Sequence, residues 1–81
     1  MRLDLLLKQT RIIKRRTIAK EICDAGKVSV NGKIAKPSFE VKDGDILELI
    51  LGQKIIHVKI TYIMQGKREV PTFEELEASN A

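Results

Sequence analysis

The sequence predicts an α+β domain: two N-terminal helices packed on a small, mainly antiparallel sheet of about four short strands. Three observations carry this. Apolar residues recur at helical spacing up to Gly26, and beyond it the pattern shifts to period two. Asn31-Gly32 is a strong hairpin signal, because a type I′ turn needs positive φ at both central residues.

Leu3, Leu6 and Leu7, with Ile13 beyond them, share one helical face, and Asp4 sits where a carboxylate stabilises a first turn by capping or through the dipole. A first helix is expected from Leu3 to Gln9. Ala19, Ile22 and Cys23 repeat the spacing, and Gly26 stands where helices end in the left-handed conformation. The second helix is expected from Arg16 to Ala25. Val28-Ser29-Val30 then alternates as a strand, and Lys33 to Lys36 returns before Pro37-Ser38 ends it. Asp43-Gly44-Asp45 marks a turn, Ile46–Leu51 is a strand too apolar to be fully exposed, Gly52-Gln53 turns the chain, and Ile55–Ile63 gives a longer strand. From Gln65 the apolar periodicity fades. Residues 1–64 are therefore expected to form the domain and residues 65–81 a short acidic tail, flexible or frayed. Phe73 and Leu76 have the spacing for a helical turn or two within Thr72–Ala78.

The chain has 81 residues, enough for one small domain. Tryptophan is absent and aromatics are scarce, so Leu, Ile and Val must build the core. The formal charge of +4 is unevenly spread: residues 1–42 hold 11 Lys and Arg against 4 Asp and Glu, while residues 69–81 hold 4 Glu and no Lys or Arg. A basic body with an acidic end is the electrostatic footprint of a nucleic-acid binder. Cys23 is the only cysteine, which excludes an intramolecular disulfide and a cysteine cluster for zinc. No signal peptide or membrane span is recognisable, so a cytoplasmic protein with no membrane partner is expected.

Candidate binding residues concentrate near the N-terminus. Lys14-Arg15-Arg16 precedes the second helix, where positive charge opposes the helix dipole at a cost of a few tenths of a kcal/mol. Such a local conflict is a mark of function. Arg16 and Lys20 are surface neighbours at i, i+4, although Lys20 has an alternative partner in Asp24 at the same spacing. Arg2, Lys8 and Arg11 complete the set, with an ion pair to Asp4 as the alternative role for Arg2. Lys33 and Lys36 are placed to extend the basic surface at its edge. His57 has no Asp, Ser or Cys partner at motif spacing, and Cys23 lies on an apolar stripe, where a buried thiol is the default. No catalytic constellation and no phosphate-binding glycine loop of the Walker kind is found. A non-enzymatic protein without cofactor or metal is therefore expected.

Two groups of residues carry a resemblance. The first is Arg2-Leu3-Asp4 and Leu7, then Lys14-Arg15-Arg16 and Ala19. The second is Ile22, Gly26, Val28, Val30-Asn31-Gly32, Lys36-Pro37-Ser38, Val41 and Gly44-Asp45. In their order and spacing they resemble the RNA-binding domain first described in ribosomal protein S-four, over roughly residues 2–60. The Arg2-Leu3-Asp4 start, the Arg11–Thr17 block and Gly52-Gln53-Lys54 look most like the RqcP-like branch of that family, free-standing members of bacterial ribosome quality control.

The resemblance implies an RNA-binding corner on the helical pair, with Arg16, at the start of the second helix, as its leading residue and Arg2, Lys8, Arg11, Lys14, Arg15 and Lys20 around it. It implies binding to the large ribosomal subunit carrying stalled peptidyl-tRNA, with contacts to ribosomal RNA and tRNA. It further implies support for C-terminal polyalanine tailing by a partner that recruits alanyl-tRNA, and a monomer off the ribosome. The alternatives are a heat-shock ribosome-associated protein, which usually has a longer basic C-terminal extension, a regulator of another RNA process, or the RNA-binding module of an RNA-modifying enzyme.

Overall fold

A computed structural model describes residues 1–76. The chain runs α1 (Leu3–Gln9), α2 (Arg16–Asp24), β1 (Val28–Val30), β2 (Lys33–Ile34), β3 (Ile46–Leu51), β4 (Lys54–Gln65) and β5 (Arg68–Glu75). The strands form one antiparallel sheet in the order β2-β1-β3-β4-β5. The predicted helices and hairpins are present, with boundaries differing by a residue or two except at the C-terminal end of the sheet.

Alternation decides which side of the sheet is covered. Val28 pairs with Leu49 and Val30 with Leu47, and Leu47 pairs in turn with Val58, so these residues share one face. That face and Leu3, Leu6, Leu7, Ala19 and Cys23 of the helices form one buried cluster, which Ala35, Val41 and Ile60 complete. Fully burying a Leu or Val side chain contributes about 1.5–3 kcal/mol, and Leu3, Leu6, Leu7, Leu47 and Leu49 are all 0% exposed.

α2 ends in a Schellman motif: Gly26, at φ +73°, donates to the Cys23 carbonyl at 3.0 Å, and Lys27 donates to that of Ile22 at 3.0 Å. The β1–β2 turn has the predicted left-handed pair, with φ of 51° at Asn31 and 86° at Gly32. The Asn31 side chain also accepts from the Ile46 N–H and donates to Asp45 Oδ1, both at 3.0 Å, tying that hairpin to the start of β3.

Two expectations are corrected. Arg68–Glu75, expected to belong to a flexible tail, forms a fifth strand paired with β4 from Gln65↔Arg68 to Val58↔Glu75. It covers the flank of Ile60 and buries Pro71. The helical turn considered over Thr72–Ala78 is replaced by strand as far as Glu75, and its end lies outside the described residues. The second correction concerns Pro37, whose role exceeds ending a strand. Its carbonyl accepts the Asp4 N–H at 3.1 Å and the Phe39 carbonyl accepts the Leu3 N–H at 2.8 Å, so the loop after β2 caps α1. No helix among the described residues is long and apolar enough to cross a membrane.

Candidate nucleic-acid interface

The centre of the basic corner is a carboxylate. Asp4 is 3% exposed because Leu3, Leu6 and Leu7 draw its helix against the sheet. Its Oδ1 accepts the Leu5 N–H at 2.8 Å and Arg2 Nε at 3.2 Å. Its Oδ2 accepts Arg2 Nη2 and, from the start of α2, Arg16 Nε, each at 3.4 Å. Burial pushes the Asp4 pKa upward, but the Leu5 hydrogen bond and the two guanidinium groups outweigh it and hold the carboxyl below its ordinary value. Both arginines remain about half exposed at the side chain, 51% for Arg2 and 46% for Arg16, so each has donors free to meet a ligand.

The ion pair with Asp4 considered for Arg2 is present in the structure, and through it Arg2 lies beside Arg16. Lys20 and Thr17 join them around a concavity of about 320 Å³. The alternative pair between Lys20 and Asp24 is not among the ion pairs of the described residues.

Lys8, Arg11 and Lys14 line a separate concavity of about 470 Å³ around the end of α1. Arg11 has φ +62° and follows the C-cap residue Thr10; its N–H donates to the Lys8 carbonyl at 3.0 Å. Glycine is the usual occupant of this left-handed position, and a larger residue there is strained. Arg15 is exposed at the N-cap of α2, which has no side-chain cap, and lines neither concavity.

Sequence reasoning placed Lys36 only at the edge of the surface. It lines a groove of about 520 Å³ with Arg2 and Lys20, whereas Lys33 does not. The organising role of Asp4 was also missed, because its reading as a capping carboxylate was sufficient in itself. The signal was the pair of arginines placed at its two sides in sequence. Elsewhere, His57 acquires a partner that motif spacing could not show: its Nε2 lies 2.8 Å from Glu48 Oε2 across β3 and β4. Cys23 is buried, as its stripe predicted.

The S4 domain model matches residues 1–47, which hold all seven candidate RNA-contacting residues. The RQC P-site tRNA stabilizing factor of Halalkalibacterium halodurans is 47% identical over 94% of this chain and 89% of that protein. Its namesake in Bacillus subtilis is 53% identical over 74% of this chain and 70% of that protein. Among solved structures, the trimeric heat shock protein 15 of Vibrio cholerae matches with a TM-score of 0.77 and 30% identity, over 94% of this chain and 81% of that one. With its sequence match, its helical pair and its antiparallel sheet, the chain belongs to the S4-domain family and, within it, to the family of RQC P-site tRNA stabilizing factors.

Proposed function

We propose that this chain is a non-catalytic, cytoplasmic RNA-binding factor of ribosome quality control. It binds the large ribosomal subunit carrying stalled peptidyl-tRNA, contacts ribosomal RNA and tRNA, and supports C-terminal polyalanine tailing beside a factor that recruits alanyl-tRNA. Off the ribosome it is a monomer. The observation that carries the reading is the Arg2–Asp4–Arg16 cluster, in which one buried carboxylate holds Arg2, at the N-cap of α1, beside Arg16, the first residue of α2. The relatives named for stabilising P-site tRNA support the choice of ligand.

Physically the corner suits structured RNA. The deep groove of an A-form helix excludes side chains, so such RNA is read largely through shape, 2′-hydroxyl and phosphate contacts. Arginine binds phosphate through paired N–H donors. Lys8, Arg11, Lys14, Arg15 and Lys20 supply further positive charge around the pair.

A heat-shock role has a specific observation in its favour, the likeness to heat shock protein 15. The sequence favours quality control: the heat shock protein 15 homolog of Aeromonas salmonicida is 31% identical and is spanned over only 63% of its length.

Co-sedimentation tests the proposal. The wild-type chain is expected to pellet with large subunits bearing peptidyl-tRNA, and to be released as salt is raised. Arg16→Glu is expected to abolish pelleting at physiological salt while the folded protein persists. Unchanged pelleting of that variant would overturn the corner as the binding surface. Crosslinking in cells should recover tRNA together with large-subunit ribosomal RNA; recovery of messenger RNA alone would overturn the quality-control role.

A further inference from the structure

Beside the Asp4 cluster, Arg2 and Lys20 also form one side of the groove that Lys36 closes. The groove lies between the end of α2 and the loop after β2, opens to solvent and spans about 520 Å³. Its apolar wall includes Ile34, which is 71% exposed, together with Pro37. A large aliphatic side chain that open to solvent on a two-residue strand contributes little to the core.

The groove also contains a residue out of place. Asp24 is the last residue of α2, where a negative charge opposes the helix dipole. Among the described residues its carboxylate makes no side-chain hydrogen bond and no ion pair, although Lys20 stands four positions before it and lines the same groove. A carboxylate inside a cationic RNA surface repels phosphate. It is tolerable there when it meets hydrogen-bond donors instead.

We propose that this groove holds one unpaired guanosine nucleotide of the bound RNA. Its phosphate lies against Arg2, Lys20 and Lys36, its base packs on Ile34 and Pro37, and its Watson–Crick edge donates to Asp24. Guanine presents two donors on that edge, N1–H and N2–H, side by side, which match the two oxygens of a carboxylate. Uracil offers one, and adenine and cytosine each offer an exocyclic amine beside a ring acceptor that faces the carboxylate with like charge. Reading splayed-out bases on their Watson–Crick edges is the usual route to sequence preference in RNA recognition. The inference rests on the RNA-binding reading and adds to it a specificity that the Arg16 side of the corner does not provide.

Fluorescence anisotropy with the full chain tests it, using four short RNA hairpins that differ only in one bulged nucleotide, and a fully paired hairpin as reference. The wild type is expected to prefer the bulged guanosine by about tenfold, the scale of a good bidentate base contact. Asp24→Ala should abolish that preference while leaving binding to the paired hairpin the same or slightly stronger, since a negative charge is removed. Ile34→Ser should weaken binding to all bulged hairpins but not to the paired one. Equal wild-type affinity for the four bulges, or an Asp24→Ala effect that is uniform across them, would overturn the groove assignment with the RNA-binding reading intact. Failure of the wild type to bind any hairpin or ribosomal subunit would overturn both. Circular dichroism of each variant separates these outcomes from misfolding.

Discussion

Arg16, at the start of α2, reaches back to α1 and donates its Nε–H to the buried carboxylate of Asp4 at 3.4 Å. Arg2 donates its Nε–H to the other oxygen at 3.2 Å and an Nη2–H to the same oxygen as Arg16 at 3.4 Å. The two helices are thus joined at the corner by charge, through the one carboxylate group of Asp4, as well as by apolar packing.

Replacing that group should loosen both. Asp4→Asn is expected to lower stability by about 1–3 kcal/mol, the cost of weakening a buried hydrogen-bonded charge. The Arg2 and Arg16 Nε–H protons should exchange faster with solvent by NMR. The pH dependence has a definite sign. The folded carboxyl sits below its ordinary value of 3.8, so the folded state binds this proton less tightly than the unfolded chain. The contribution is fully present above that ordinary value and is lost as pH falls from there through the lower folded value. Urea unfolding across this acid window should show the loss in the wild type and a flatter profile in Asp4→Asn.

Arg11 separates binding from folding. Glycine at its left-handed position relieves strain of about 1–2 kcal/mol, offset in part by the greater freedom of glycine in the unfolded chain. Arg11→Gly should therefore match or exceed the wild type in thermal unfolding. Its RNA affinity should fall, with a salt dependence shallower by about one contact.

β5 carries structural weight. Removing residues from Arg68 onward uncovers the β4 edge beside Val58 and Ile60, which are 1% and 0% exposed in the intact sheet. The expected cost is about 2–3 kcal/mol, on the scale of one large buried side chain. In a domain of this size that corresponds to a fall in Tm of about 10–20 °C. RNA binding should fall with the folded fraction, and concentration-dependent aggregation should follow from the open strand edge. Calorimetry with light scattering measures both.

Cys23 should be inert in the folded protein. Burial first, and the charges of Asp4 and Asp24 after it, raise its thiol to about 11. Iodoacetamide at pH 8 should label it only through opening of the domain, at a rate that rises with added urea.

Much of this protein was legible because its signals are local. Leu3, Leu6 and Leu7 specify a helix through side-chain spacing alone, and Gly26 and Asn31-Gly32 specify chain reversals through backbone sterics alone. The basic N-terminal cluster was legible for the same reason, because charge is a property of the side chain wherever it lies, whereas the choice of seven RNA-contacting candidates within it came from the family resemblance. β5 was missed for a physical reason: Pro71 and the flanking glutamates weaken any strand signal, and only an edge position with one paired neighbour tolerates them.

Local spacing and composition specify the helical pair, the hairpins, the buried stripe and the sign of the charge near the N-terminus. How that charge is grouped follows from the packing of the elements. Packing α1 against α2 puts Arg2 and Arg16 on one carboxylate, leaves Lys8, Arg11 and Lys14 as a separate group, and brings Lys36 from the far side of β2 to Arg2 and Lys20. These groupings join residues distant in sequence, and they exist only once the shared apolar core has fixed the angle between the elements that carry them.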